Sequence, residues 1–346
     1  MNGNSRRTWF RYLGLLMLGI AAVIFILRKE NPRELAASLG AASWPTLAAS
    51  VSLLGCFYLL RTLRWFIILR IRVPALPLFL YSSLGYLTSS IMPLQAGELI
   101  KPGLLRLRHR IQFLEGLGSV GVERLLDVFG LVILGSISLM VLPPSSHSQR
   151  WLIESLRTAG ILSSLGIVLL FFAVVFAARW GNIPAAILKR LPLPAGLRTG
   201  AANFTYGIIQ GATVLKAPIL FTLAFLATLL LWGVNYLSVL LVFGSVGAAA
   251  HPMIVLLGFA VLSLGVALPL TPAAIGQYET LWVLVFLALG VKPEATVVAT
   301  GVLSHALILL VILFFGIFSI ALLPRSILRD ARNIAVSEQG NCRRDQ

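Results

Sequence analysis

The chain has 346 residues, 58% hydrophobic and 12% charged, with a formal net charge of +16 at pH 7. At a mean hydropathy of +0.93, that balance excludes an ordinary soluble domain and marks a polytopic membrane protein. The basic residues stand in short segments between apolar runs, so the charge reads as membrane topology and not as a nucleic-acid surface.

A spanning helix needs about 20 mostly apolar residues. Residues 9–27 form the first such run. Arg6, Arg7 and Arg11 stand at its head, as in a secretory signal. Behind it stands Arg28-Lys29-Glu30-Asn31-Pro32-Arg33 and not a small-residue cleavage site, so the run reads as an uncleaved first transmembrane helix. Residues 45–60, 116–142, 159–178, 218–243 and 297–323 predict five more spans. Residues 76–92 are less regular, as is a split region of 252–268 with 280–289. The two cysteines, Cys56 in an apolar run and Cys342 in the polar tail, form no disulfide framework or metal cluster.

Charge sets the orientation. Arg6, Arg7 and Arg11 place the N-terminus in the cytoplasm, and Arg61, Arg64, Arg70 and Arg72 mark a cytoplasmic return. Lys101, Arg106, Arg108 and Arg110 form the next basic cluster, then Lys189, Arg190, Arg198 and Lys216. Arg325, Arg329, Arg332, Arg343 and Arg344 make the C-terminus cytoplasmic, and the less basic loop 143–157 suits the outside. The expected location is the cell inner membrane, with both termini inside. One membrane domain is expected over residues 1–332, followed by a disordered polar tail over 333–346. The proline-rich linker at 179–216 is expected to end in an interfacial helix over 197–215.

Parity exposes two breaks. The clusters before and after residues 76–92 both read as cytoplasmic. Beyond Pro93 only about ten residues remain, too few to recross a core about 30 Å thick at 1.5 Å per residue. A re-entrant hairpin turning at Pro93-Leu94-Gln95-Ala96-Gly97 solves this. The second region breaks at Pro269–Gly276 and must enter and leave on the outer side, as a second hairpin or as two short crossings. The expected fold is all-α: about six full spans plus two broken hairpins entering from opposite faces as an inverted repeat, a pattern that points to a transport site.

The polar residues concentrate at these breaks. Glu98 and Lys101 are three apart, so on one helix they share a face and can pair. Irregular backbone at membrane depth needs enclosure or a wet cavity. Backbone N–H groups near Gly97, with Lys101, suit a headgroup phosphate, whereas an interfacial turn reaching water is the plainer alternative. Glu123 and Asp127 share a face four residues apart, and Arg124 reaches Asp127. At about 2.5–3.5 kcal/mol per charge at a helix centre, these three are expected to pair, as a structural clamp or against substrate. Glu279 stands at a helix N-terminus after the second break, where capping and proton or ion coupling are both open. His305 and Asn235 can line a pathway, although polar residues hydrogen-bonded between helices are the commoner case. Arg61 and Arg64, with Trp65, read as snorkelling interfacial anchors, although Arg64 can reach a lipid phosphate. No catalytic constellation, nucleotide loop or metal-ligand spacing is present in the sequence, and no cofactor is expected.

These blocks, in this order, resemble the lysylphosphatidylglycerol synthase transmembrane, or flippase-like, family. The resemblance rests on Pro93, Gly97, Glu98 and Lys101, then Glu123-Arg124-x-x-Asp127, then Pro269, Pro272, Gly276 and Glu279. It implies an all-helical membrane fold like the lipid-translocating part of aminoacyl-phosphatidylglycerol enzymes. Members handle anionic phospholipids, polyisoprenoid-linked sugars or hopanoid-related lipids, so the substrate does not carry over. The family often has arginine or extra glycine where this chain has Leu94-Gln95-Ala96, and paired glycines where it has Ala273-Ala274. The soluble aminoacyl-transferase part of the full enzymes has no counterpart in this sequence.

The expected function is a lipid flippase or transporter for a phosphate-bearing lipid. Arg64, Gly97, Glu98, Lys101, Arg124 and Gly276 would form the headgroup site, and Glu123, Asp127 and Glu279 would couple or hold charge. The expected partners are anionic membrane lipids and no nucleic acid, with a homo-oligomer or a lipid-synthesis enzyme as further candidates. The alternatives are a lipid-modifying transferase and a non-transporting member of a lipid- or glycan-synthesis complex.

Overall fold

The computed structural model describes residues 3–92, 97–142, 209–267 and 270–327, with single positions between 154 and 207; side chains are described from Leu13 onward. The predicted span at 159–178, the loop at 143–157 and the tail at 333–346 lie almost wholly outside these residues. No strand occurs among the described residues.

Among the described residues, ten α-helices run in order. They are α1 (Gly3–Lys29), α2 (Pro32–Gly40), α3 (Trp44–Ile68), α4 (Ala75–Ile91) and α5 (Ile100–His109), then α6 (Phe113–Val141), α7 (Pro218–Ser245), α8 (Pro252–Gly265), α9 (Gln277–Ala288) and α10 (Glu294–Leu322). Proline opens α2, α3, α7 and α8, where its missing N–H costs nothing and its fixed φ suits the first turn. The helices α3, α6, α7 and α10 are long and apolar enough to cross a membrane, and they coincide with four of the predicted spans. The first predicted span lies within α1. The short α2, capped by the Asn31 side chain accepting from the Arg33 N–H at 3.0 Å, was not anticipated.

Besides the nine-residue α2, four helices are too short to span. With 17, 10, 14 and 12 residues, α4, α5, α8 and α9 reach about 26, 15, 21 and 18 Å at 1.5 Å per residue, against a core of about 30 Å. α4 packs on α5, and α8 on α9, each pair folding back at a break.

The chain therefore runs long, short, short, long twice: α3 to α6, then α7 to α10. α3 and α7 lie antiparallel. The Ser43 N–H donates to the Ser245 carbonyl at 2.9 Å, the Ser50 and Ser238 hydroxyls meet at 2.8 Å, and Arg64 donates to Thr228 at 3.2 Å. The second set is thus inverted relative to the first. Packing repeats with it: α4 lies on α10 as α8 lies on α6, and α5 lies on α6 as α9 lies on α10. This is the architecture of an inverted repeat, with the hairpins entering from opposite ends of the bundle.

Small residues let the helices approach closely. A Cβ on Gly258 would lie 2.4 Å from the Phe286 ring, and one on Gly301 2.8 Å from Trp282. Large apolar side chains such as Leu59, Leu63, Leu230 and Phe314 face outward, as a lipid solvent requires. The end of the expected interfacial helix does not lie free at a surface. Val214 is fully buried, and Gly211 abuts the Glu115 carbonyl of α6 so closely that a Cβ there would lie 2.2 Å away. Apolar Ala212 and Leu215 draw this segment onto Ile68, Val122 and Leu126.

Candidate functional site

The first break is pinned to its own incoming arm. A Cβ on Gly97 would lie 2.3 Å from the Ser89 nitrogen and 2.5 Å from Thr88 Oγ1, so only glycine lets the chain fold back here. Residues 93–96 are outside the described residues. The turn brings Glu98 and Lys101 against the middle of α6, and α3 brings Arg61 and Arg64 to the same place.

Among the described residues, seven charged side chains meet there. Arg64 Nη1 donates to Asp127 Oδ1 at 2.5 Å, and its Nη2 lies 3.5 Å from Glu123 Oε1. Lys101 Nζ donates to Glu123 Oε2 at 2.7 Å. Arg124 pairs with Glu98 and lies 3.8 Å from Asp127 Oδ2, while Arg61 lies 3.7 Å from that same oxygen. Trp232 Nε1–H also donates to Asp127, at 3.1 Å. Aromatic faces complete the shell: Arg61 lies 4.5 Å from the Tyr86 ring centroid, and Lys101 lies 4.5 Å from that of Trp65. Such charges persist in an apolar bundle because each faces an opposite charge.

The cluster is unbalanced and open at one edge. Four cations (Arg61, Arg64, Lys101, Arg124) face three carboxylates (Glu98, Glu123, Asp127), an excess of one positive charge among the described residues. Arg64 and Lys101 side chains are fully buried, whereas Arg124 is 39% exposed and Arg61 12%. Arg61 Nε, Arg64 Nε and Asp127 Oδ2 have no hydrogen-bond partner among the described residues. The open edge, formed by Arg61 and Arg124, is cationic and suited to an anion's oxygens.

The second break is built differently. Pro272–Ala274 forms a 3-10 turn with Ala273 and Ala274 at φ 51° and 56°, left-handed conformations that cost a side-chain-bearing residue about 1–2 kcal/mol each. These are the positions where the resembled family often has glycine. Gly276 follows at φ 79°, and a Cβ on it would lie 2.3 Å from the Gly19 carbonyl oxygen of α1. Glu279 then caps α9, its Oε2 accepting from the Gly276 N–H at 2.8 Å. Its Oε1 lies 2.6 Å from His305 Nδ1, and His305 Nε2 donates to the Ala273 carbonyl at 2.9 Å. Tyr278 stacks on the His305 ring at 4.5 Å, its hydroxyl 3.0 Å from Ser304 Oγ. The Pro272–Ala274 turn packs on α4 and α1. Both breaks therefore rest on α4.

Several expectations change. Glu98 and Lys101 do not pair with each other; each takes a partner on α6, because the turn at Gly97 aims both across to that helix. Arg64 and Trp65 are not interfacial anchors: both are fully buried, Arg64 by its two carboxylates and Trp65 by the hydrogen bond from Nε1 to Ser119 at 3.1 Å. His305 binds a carboxylate at a break, not merely a neighbouring helix, and Asn235 Oδ1 is buried without a partner among the described residues. Thr228, Trp232 and Tyr86 were missed as contributors. Thr228 and Trp232 stand four apart on one face of α7, which is a visible signal only once Asp127 is known to face that helix.

Residues 12–316 match the model of a family described as the lysylphosphatidylglycerol synthase TM region. The chain belongs to this family. Membership agrees with the multi-pass, all-helical architecture and supports a membrane protein concerned with lipids. A similar protein is the glycosyltransferase AglD of Haloferax volcanii, 24% identical over 324 residues that cover 84% of this chain and 51% of that protein. This lysylphosphatidylglycerol synthase TM-region chain thus spans about half the length of that relative.

Proposed function

We propose that the chain is an inner-membrane lipid flippase or transporter that receives the phosphate of an anionic lipid at the Arg61–Arg124 edge of the charge cluster, with both termini cytoplasmic. The observation carrying this reading is the excess cation at a broken hairpin. A phosphate oxygen displacing Glu98 from Arg124 meets two guanidinium groups, while Arg64 and Lys101 balance the charges of Glu123 and Asp127 and leave Arg61 as the uncompensated cation. The acyl chains would remain in lipid beside the outward apolar faces. Membrane lipids are the expected partners, alone or with a second copy or a lipid-synthesis enzyme.

Translocation of fluorescent phosphatidylglycerol in vesicles reconstituted with purified protein tests this. The Arg61→Ala/Arg124→Ala variant should lose transport while eluting as a folded protein, and a wild-type rate in it removes the site. The name of the relative favours a second reading, in which the chain presents a lipid to a glycosyl-transfer reaction. Turnover of labelled lipid and sugar donor by purified protein, without lipid movement, would favour that role.

A further inference from the structure

Both ring nitrogens of His305 are engaged, and this fixes a proton count. Nε2 faces the Ala273 carbonyl at 2.9 Å; a carbonyl only accepts, so Nε2 carries a hydrogen. Nδ1 faces Glu279 Oε1 at 2.6 Å, and two bare lone pairs would repel at that separation, so a second hydrogen lies between them. The ring and the carboxyl together hold one proton more than a neutral imidazole beside a carboxylate, and the pair is neutral overall.

We propose that the Glu279–His305 pair is a proton-binding site that latches the second break, and that losing its proton to water releases the break. The inference rests on the lipid-handling reading only in assigning the released break to translocation. With one hydrogen left for two acceptors, the charge-assisted bond to Glu279 prevails over the neutral carbonyl bond, being about twice as strong. Nδ1 keeps the hydrogen and Ala273 is abandoned. The left-handed Ala273 and Ala274 are then free to relax. The latch holds while the pair is protonated and is lost as the pH rises through its titration. The equivalent Lys101–Glu123 pair in the first half contains no histidine.

Among the described residues, the groups facing the pair are few. On α9 and α10 they are Tyr278 and Ser304, already bonded to each other. α4, which packs on the turn, carries Tyr81 and Tyr86 and no charged residue. The other charges described on the packed elements are Arg28 and Lys29 at the end of α1 and Glu294 at the start of α10, each about 13–17 Å away along its helix by the 1.5 Å rise, with Arg33 and Glu34 on α2, which meets α10 at Thr296, and Arg61 and Arg64 on α3, which are paired in the first-break cluster. The proton is therefore the pair's own.

The test replaces Cys56 and Cys342 by serine and compares maleimide labelling of Ala274→Cys, partly buried in the latched turn, with that of the exposed reference Leu270→Cys. The labelling ratio should rise with pH, by up to about tenfold per unit once the pair titrates. It should be flat in His305→Gln. It should also stay flat and low in Glu279→Gln, whose neutral amide donates to Nδ1 and leaves Nε2–H on Ala273 at every pH. A flat ratio in otherwise wild-type protein, or a wild-type rise in Glu279→Gln, overturns the latch. Lipid movement accompanied by flat labelling removes the latch alone. Labelling that follows pH with no lipid movement at any pH keeps the latch and removes the transport reading.

Discussion

In the first half of the chain, Lys101 on the returning arm of the hairpin meets Glu123 on the following long helix; in the second, Glu279 on the returning arm meets His305 on its long helix. The positions correspond closely. Lys101 is the second residue of α5 and Glu123 the eleventh of α6, while Glu279 is the third of α9 and His305 the twelfth of α10. The inverted repeat thus places an ion pair at equivalent points and gives the pairs different chemistry. The first is a fixed pair embedded among Arg61, Arg64, Arg124, Glu98 and Asp127. The second stands nearly alone, stacked under Tyr278 and tied to strained backbone. The same architecture separates a cluster of fixed charges from a histidine–carboxylate pair tied to the neighbouring turn.

The largest effect should come from breaking the fixed pair. Glu123→Ala leaves Lys101 and Arg64 buried with one carboxylate fewer, a loss of about 3–5 kcal/mol by analogy with other broken buried pairs. Thermal unfolding of the purified protein should show it, and replacing Lys101 by Met and Glu123 by Leu together should recover much of the loss. A single variant as stable as wild type would mean that the cluster is not a clamp.

Next comes the backbone of the breaks. Gly97→Ala and Gly276→Ala each drive a methyl to 2.3 Å from main-chain atoms, so each should lower stability by about 1–3 kcal/mol, as overpacking does. An effect at one break only would weaken the equivalence of the two hairpins.

Smaller still is the open edge. Arg124→Ala should cost less than about 1 kcal/mol, because its side chain is 39% exposed and screened, yet it should reduce anionic-lipid retention. The smallest change is expected at the Arg72–Glu115 bridge, 2.5 Å long with Arg72 45% exposed. Arg72→Ala should shift stability by no more than about 0.5 kcal/mol and leave lipid retention untouched, as an exposed pair outside the cluster.

Much of this was legible in the sequence because hydropathy and proline placement are local. The four long helices, both breaks and the shared face of Glu123 and Asp127 follow from spacing alone. The partners do not. Lys101 reaches Glu123 across 22 residues and Glu279 reaches His305 across 26, and whether Arg64 snorkels or is buried depends on where α6 and α7 pack. The departure at Ala273-Ala274 was visible as missing glycine, but its consequence was not. The backbone takes the left-handed turn regardless, and the carbonyl it presents is what His305 holds.

The central claim is that the excess cation at the first break holds a lipid phosphate. Native mass spectrometry of the purified protein tests it directly. Phosphate-bearing lipid should remain on the wild type and be lost from the Arg61→Ala/Arg124→Ala variant while neutral lipid is unchanged. The same anionic lipid retained equally by both proteins would contradict it.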